Sequence, residues 1–195
     1  ENTHNRAGGV IVPLERLRAM HDAAHARGVR VHLDGARLWN AAVASGVPLA
    51  QWAACADTAM LCFSKGLGAP VGSILVGPRD LIRKAHRVRK RWGGGMRQVG
   101  MLAAACLHAL DHHVERLAED HARARRLATG MAAVPGVTVI APDTNIVIAS
   151  LDTAIDAVAV LAALKRRDVW MVPFGTGRIR AICHLDVDDA GVERA

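Results

Sequence analysis

The sequence predicts an α/β protein. A mainly parallel sheet flanked by helices is expected over residues 1–117, and a smaller α+β unit over residues 118–195, the latter incomplete at its end. Three observations carry this. Helix-spaced and strand-like apolar runs alternate through the first part, as they do when helices cover both faces of a parallel sheet. After Pro135-Gly136 the elements become shorter and alternate quickly. The 51% hydrophobic fraction of the 195 residues suffices for one ordinary core or two small ones.

Taken in order, Pro13 followed by Leu14, Leu17, Met20 and Ala24 places one apolar stripe at helical spacing, and Gly28 stops that helix. Residues 29–33 alternate and are β-branched, so they read as a strand ending at Asp34-Gly35-Ala36-Arg37. A short helix is expected over 38–44. Residues 58–63 read as a second strand with Ser64-Lys65-Gly66-Leu67-Gly68 as its exit loop, and 71–76 as a third. A long helical stretch follows from Pro78. It is broken at Gly93-Gly94-Gly95, resumes at Met96 and runs to about Ala133, with an interruption near Asp111. In the smaller unit, strands are expected over 137–140, 146–151, 169–172 and 178–182, with helices over 154–167 and from Asp188.

Composition narrows the class. Core positions fall to Ala, Val, Leu and Ile, because the chain has four Trp, two Phe and no Tyr. The longest clean apolar runs, such as 101–107, are far too short to span a bilayer. No secretory leader is apparent. The chain opens on Glu1 with residues that already read as structured, so the natural N-terminus is expected upstream. Cys55, Cys62, Cys106 and Cys183 form no CxxC pair and no zinc pattern, so no metal is expected and a reducing cytoplasm is the natural setting. The net charge of +7 concentrates in residues 83–91. That run reads either as a site for an anionic group or as a solvated helix face. Nucleic-acid binding fits less well, since no aromatic residue interleaves the run and no reading helix accompanies it.

Lys65 and Asp34 are the candidates for chemistry. Ligands of open α/β sheets sit outside the carboxyl ends of the strands, where both residues fall. Lys65 lies among Ser64, Gly66 and Gly68, where the backbone can approach a ligand closely. A partly desolvated lysine loses its proton more readily, as a Schiff-base amine must. A surface lysine in a turn is the competing reading. Asp34 is either a ligand group or the cap of the next helix. Arg37, three residues on, either faces the same pocket or makes a surface ion pair.

Five groups of residues then carry a resemblance. They are residues 1–5 (Glu-Asn-Thr-His-Asn), 32–37 (His-Leu-Asp-Gly-Ala-Arg), 62–73 around Ser64-Lys65-Gly66, 93–98 (Gly-Gly-Gly-Met-Arg-Gln) and His184-Leu185-Asp186-Val187. In this order the set resembles the low-specificity L-threonine aldolases, within the β-eliminating lyase group of fold-type-I pyridoxal-phosphate enzymes. The resemblance implies a PLP-dependent transferase-like fold, with residues 1–117 as the C-terminal part of the large cofactor-binding domain. It implies that Lys65 binds pyridoxal 5'-phosphate covalently and that Asp34 pairs with the pyridine nitrogen. Arg37 would contact the cofactor or the substrate carboxylate, and Arg180 would clamp that carboxylate with two parallel hydrogen bonds. Lys90 and Arg97 would lie near the cofactor phosphate across a subunit interface. The implied reaction is retro-aldol cleavage of L-threonine or L-allo-threonine to glycine and an aldehyde. The implied assembly is a dimer or tetramer, with no nucleic-acid or membrane partner.

Other residues are weaker candidates. His4, with Asn2, Thr3 and Asn5, either lies near the site or closes a polar turn. His184 matches the family motif or is a satisfied histidine beside the clamp strand. Adjacent His112 and His113 point to different helix faces and read as surface histidines rather than metal ligands. Gly93-Gly94-Gly95 lacks the lysine-ending pattern of a P-loop and reads as a flexible turn before Arg97. In the family a preceding segment supplies a ring-stacking histidine and much of the phosphate cup, so this chain alone is expected to turn over poorly. The alternatives are another β-eliminating lyase of the same fold and a non-catalytic fragment that retains the motifs.

Overall fold

The computed structural model describes residues 1–195. The chain forms two compact units: residues 1–3 with 11–115, and residues 4–10 with 116–195.

In the first unit, α1 (Leu14–His25) follows Pro13, and Leu14 and Leu17 face the core. It ends in a left-handed Gly28 (φ 68°), with the Val29 amide donating to the Ala24 carbonyl at 3.0 Å. That turn uses Val29. The Val31 amide is taken at 2.7 Å by the Asp57 carboxylate, whose pKa this bond depresses. Hence β1 covers His32–Gly35 rather than the expected 29–33.

β1 pairs in parallel with β2 (Thr58–Cys62), Asp34 lying opposite Met60. The crossover between them carries α2 (Leu38–Ser45) and α3 (Leu49–Ala53), as a parallel connection requires. The sequence reading missed α3, a single turn after Pro48. Leu33, Leu38, Ala41, Trp52, Ala59 and Leu61 form the core between helices and sheet.

β3 (Ser73–Val76) runs antiparallel to β2, so this three-stranded sheet, ordered β1-β2-β3, is mixed where a mainly parallel one was expected. The reason is the connection. Residues 63–72 contain no helix and cannot carry the chain back for a parallel return. The α/β class itself stands.

α4 (Arg79–Arg91) and α5 (Gly100–His112) complete the unit. α5 starts four residues later than the expected Met96, because Gly93 (φ 80°) and Gln98 (φ 49°) adopt left-handed conformations in the intervening turn. No helix is long and apolar enough to cross a membrane.

The second unit is an antiparallel sheet with α6 (Leu117–Ala132), α7 (Ala157–Arg166) and α8 (Asp189–Arg194). Its strands are β4 (Val137–Val139), β5 (Ile146–Leu151), β6 (Val172–Pro173) and β7 (Arg178–Ile182), in the order β4-β5-β7-β6. β6 is shorter and later than the expected 169–172. Asp156 caps α7 by accepting from the Val158 amide, and Asp188 caps α8 by accepting from the Gly191 amide. Ala124, Leu127 and Ala128 of α6 pack against Val147, Ala181 and Cys183, where burial pushes the Cys183 thiol up to about 11.

β5 is buried along Ile146–Ala149, as a central strand covered on both faces must be. Its second cover is the segment 4–10. Gly9 lies so close to Thr144 and Ile146 that a Cβ there would stand 2.6 Å from Thr144 Oγ1, and Gly8 packs on Ile148. Thr144, fully buried, donates to the Gly9 carbonyl at 2.9 Å.

Candidate functional site

Asp34 is the penultimate residue of β1, half-buried. Its Oδ1 accepts from the Ala36 amide at 3.0 Å, which turns the chain sharply out of the strand. Its backbone carbonyl accepts from the Asn2 amide at 2.9 Å. No protein group hydrogen-bonds Asp34 Oδ2.

Lys65 leaves the same end of the neighbouring strand. Its side chain is exposed, and Nζ donates to Cys62 Sγ at 3.2 Å. Trp39 of α2 closes over this strand end, its Nε1 donating to the Cys62 carbonyl at 3.2 Å. The loop after Lys65 is tightly wound: the Gly68 amide donates to the Lys65 carbonyl at 2.9 Å and the Ala69 amide to the Phe63 carbonyl at 3.1 Å. Leu67 between them is fully buried.

Arg37 is half-buried at the start of α2. Lys90 and Arg97 are exposed on either side of the glycine turn, and no hydrogen bond or ion pair joins either to Lys65 or Asp34. The Lys90 stem lies along Gly95, where a Cβ would meet Lys90 Cδ at 2.7 Å.

In the second unit Arg180 projects from β7 opposite Ile148. Its Nη1 donates to Asn5 Oδ1 at 3.2 Å and its guanidinium lies 5.1 Å from the Phe174 ring centroid. Arg180 Nε is buried without a hydrogen-bond partner.

Several histidine expectations resolve. His4 caps a 3-10 turn over Asn5–Ala7, its Nδ1 accepting from the Ala7 amide at 3.1 Å. His184 is exposed, and its Nδ1 accepts from the Asp186 amide at 3.3 Å. His112 is exposed as expected, but His113 is not a surface histidine. It is half-buried and lies 2.7 Å from the Leu67 carbonyl through Nδ1, because its face of α5 turns toward the Lys65 loop. No group of three or more His, Cys, Asp or Glu side chains is placed to hold a metal.

Sequence reasoning missed Cys62 as the neighbour of Lys65, Asn5 as the partner of Arg180, and His113. For His113 there was no signal, because its partner is a backbone carbonyl. For Asn5, although it lies in the first motif, nothing pointed to Arg180, 175 residues away.

Chemically, the first unit sets a primary amine and a carboxylate at the carboxyl ends of two adjacent parallel strands. The amine can condense with an aldehyde, and the carboxylate can pair with a protonated ring nitrogen.

A family model described as β-eliminating lyase matches residues 1–154. The chain belongs to the β-eliminating lyase family. Among relatives of this family member, low-specificity L-threonine aldolase 1 of Arabidopsis thaliana is 39% identical over 98% of the chain and 55% of its own length. The low specificity L-threonine aldolase of Escherichia coli is 42% identical over 96% of the chain and 54% of its own length. The chain therefore spans about half the length of the curated relatives it matches.

Solved structures place the fold. The threonine aldolase of Leishmania major superposes with a TM-score of 0.80 at 22% identity, covering 99% of this chain and 57% of that one. An α-aminoadipate aminotransferase from Thermus thermophilus, solved with N-(5'-phosphopyridoxyl)-L-leucine, follows with a TM-score of 0.63 at 19% identity, covering 96% and 54%. The family member thus has the fold type I architecture of pyridoxal-phosphate enzymes.

Proposed function

We propose that this chain belongs to an enzyme that cleaves L-threonine, L-allo-threonine and related β-hydroxy-α-amino acids to glycine and an aldehyde, using pyridoxal 5'-phosphate on Lys65. The observation that carries the reading is the pairing of Lys65 and Asp34 at the ends of adjacent parallel strands. That donor set fits the cofactor: an exposed amine for its aldehyde, and a carboxylate oxygen without a protein partner for its ring nitrogen. The names of the curated relatives support the substrate class.

In this reading residues 1–117 are the C-terminal part of the large cofactor-binding domain and residues 118–195 the small domain. Bound on Lys65, pyridoxal phosphate supplies the sink for the electrons of the breaking Cα–Cβ bond. Lys65 would hold the cofactor through its side-chain amine. Asp34 would hold the cofactor's ring nitrogen, its carboxylate favouring the protonated form. Arg180 takes the substrate carboxylate in a two-pronged hydrogen bond that satisfies its buried Nε. Arg37 contacts the cofactor or the same carboxylate, and Lys90 and Arg97 serve the phosphate from a neighbouring subunit of a dimer or tetramer. Four free thiols, Cys55, Cys62, Cys106 and Cys183, fit a reducing cytoplasm.

The test is product analysis with the intact protein, threonine and pyridoxal phosphate. Glycine and acetaldehyde in equal amounts are expected, with loss of both products and of the cofactor's lysine-bound absorbance in Lys65→Ala. Ammonia and a keto acid would instead make the enzyme a β-eliminating lyase in activity as well as family.

A further inference from the structure

The side chain of Lys65 is exposed and its amine bonds Cys62 Sγ, so its position depends largely on the backbone that carries both residues. Beyond Cys62 that backbone is a wound loop over residues 63–72, closed on itself by the Ala69-to-Phe63 and Gly68-to-Lys65 bonds and at its base by the Phe63 amide donating to the Gly72 carbonyl at 3.0 Å. Two further carbonyls of the loop are bonded by one helix, α5. His113 Nδ1 lies 2.7 Å from the Leu67 carbonyl and Cys106 Sγ lies 3.4 Å from the Val71 carbonyl.

Cys106 and His113 are seven residues apart, two turns along one face of α5, with fully buried Ala109 between them. The same face is pressed against the loop's end, since a Cβ on Gly72 would stand 3.1 Å from Cys106 Sγ. A carbonyl only accepts, so Nδ1 is the protonated nitrogen of His113. His108 meets the His113 ring edge-on, with centroids 5.3 Å apart.

We propose that His113 is a positioning residue: through the Leu67 carbonyl it holds the Lys65 loop where the lysine amine and Asp34 can engage one cofactor. The proposal rests on the reading of Lys65 as the cofactor lysine. Leu67 is two residues from Lys65, and its side chain is wholly buried, so the loop has no slack on that side. A reacting group displaced by about 1 Å can lose on the order of 100-fold in rate, which is the scale on which such a brace acts.

The test contrasts His113→Phe, which keeps ring volume without the N–H, with His113→Asn, which is smaller but keeps a donor. It has two readouts in the intact protein. The first is hydrogen exchange of the Gly68 and Ala69 amides without cofactor. The second is pyridoxal-phosphate titration followed by the Lys65-dependent absorbance. His113→Phe should speed the two amides about 5-fold or more, the scale of one lost net hydrogen bond, with amides of β2 unchanged. It should weaken cofactor binding by a similar factor and lower kcat with little change in KM. His113→Asn should recover most of both. Should the Phe variant not fold, His113→Ala against His113→Asn carries the same contrast. Wild-type exchange and wild-type cofactor binding in the donor-free variant would overturn the proposal. Failure of the underlying reading looks different: wild type and Lys65→Ala would then bind pyridoxal phosphate alike, and the positioning role would fall with it.

Discussion

Arg180 holds a guanidinium with one arm on Asn5, one face toward Phe174 and a buried Nε left over. An ionised donor kept out of water without a partner is costly unless a ligand completes it. If a substrate carboxylate does so, Arg180→Ala should cost about 3 kcal/mol of transition-state binding, on the order of 100-fold in kcat/KM. Asn5→Ala removes the arm's support, and about 1 kcal/mol, a few-fold rise in KM with kcat retained, is expected. Steady-state kinetics on threonine separate the two, and equal effects would mean that Asn5 also binds substrate. At this scale legibility was uneven. Asp34 and Lys65 were candidates from their places at strand ends, but spacing alone left Lys65 closer to an ordinary surface lysine, and the ordered set of family motifs singled it out. Asn5 and His113 did not reveal their partners, which only folding brings near. For His113, the partner is a backbone carbonyl, which leaves no trace in sequence.

Among the elements, α6 shows most clearly what pattern reading overlooks. Its helical character was legible, but adjacent Asp120 and His121 are both buried on it. Asp120 is satisfied by Arg116 at 2.6 Å, and Arg123 ties α6 to α8 through Asp189 at 3.1 Å. His121 is kept neutral: burial, aided by Arg125, lowers its pKa to about 4 from 6.5. The unfolded chain therefore takes up this proton first. Stability is full above pH 6.5 and falls as pH drops toward 4, by about 3 kcal/mol in all at about 1.4 kcal/mol per unit. Urea unfolding of the chain at stepped pH should show this slope, and His121→Gln should flatten it. Asp189, its pKa lowered by the Arg123 hydrogen bond, acts in a different window: its contribution is present above the ordinary carboxylate range and is lost in stronger acid. A slope unchanged in His121→Gln would assign the loss to other groups. The remaining elements follow similar logic. β5 and β7 were readable to the residue from their β-branched runs. β1 slipped by three residues because Asp57, a side chain from elsewhere, takes the Val31 amide before the ladder begins.

For the whole molecule, what the sequence could not reveal is which segments share a unit. Residues 4–10 belong with 116–195, while residues on either side of them belong with the first unit. Local periodicity carries no information on such exchanges, which depend on Thr144 meeting Gly9 and on Arg180 meeting Asn5. Function at this scale turns on enclosure. Lys65 is exposed among the described residues, and the chain spans about half the length of its curated relatives. In the proposed reading, cleavage depends on excluding water and on gripping the cofactor phosphate. The 195-residue polypeptide by itself should therefore show Lys65-dependent absorbance at high pyridoxal phosphate. Its acetaldehyde release from threonine should be lower than that of the intact protein by about 100-fold or more, the scale of a poorly held reacting group. Turnover by the isolated polypeptide at the intact protein's rate would show instead that its own residues suffice for the chemistry.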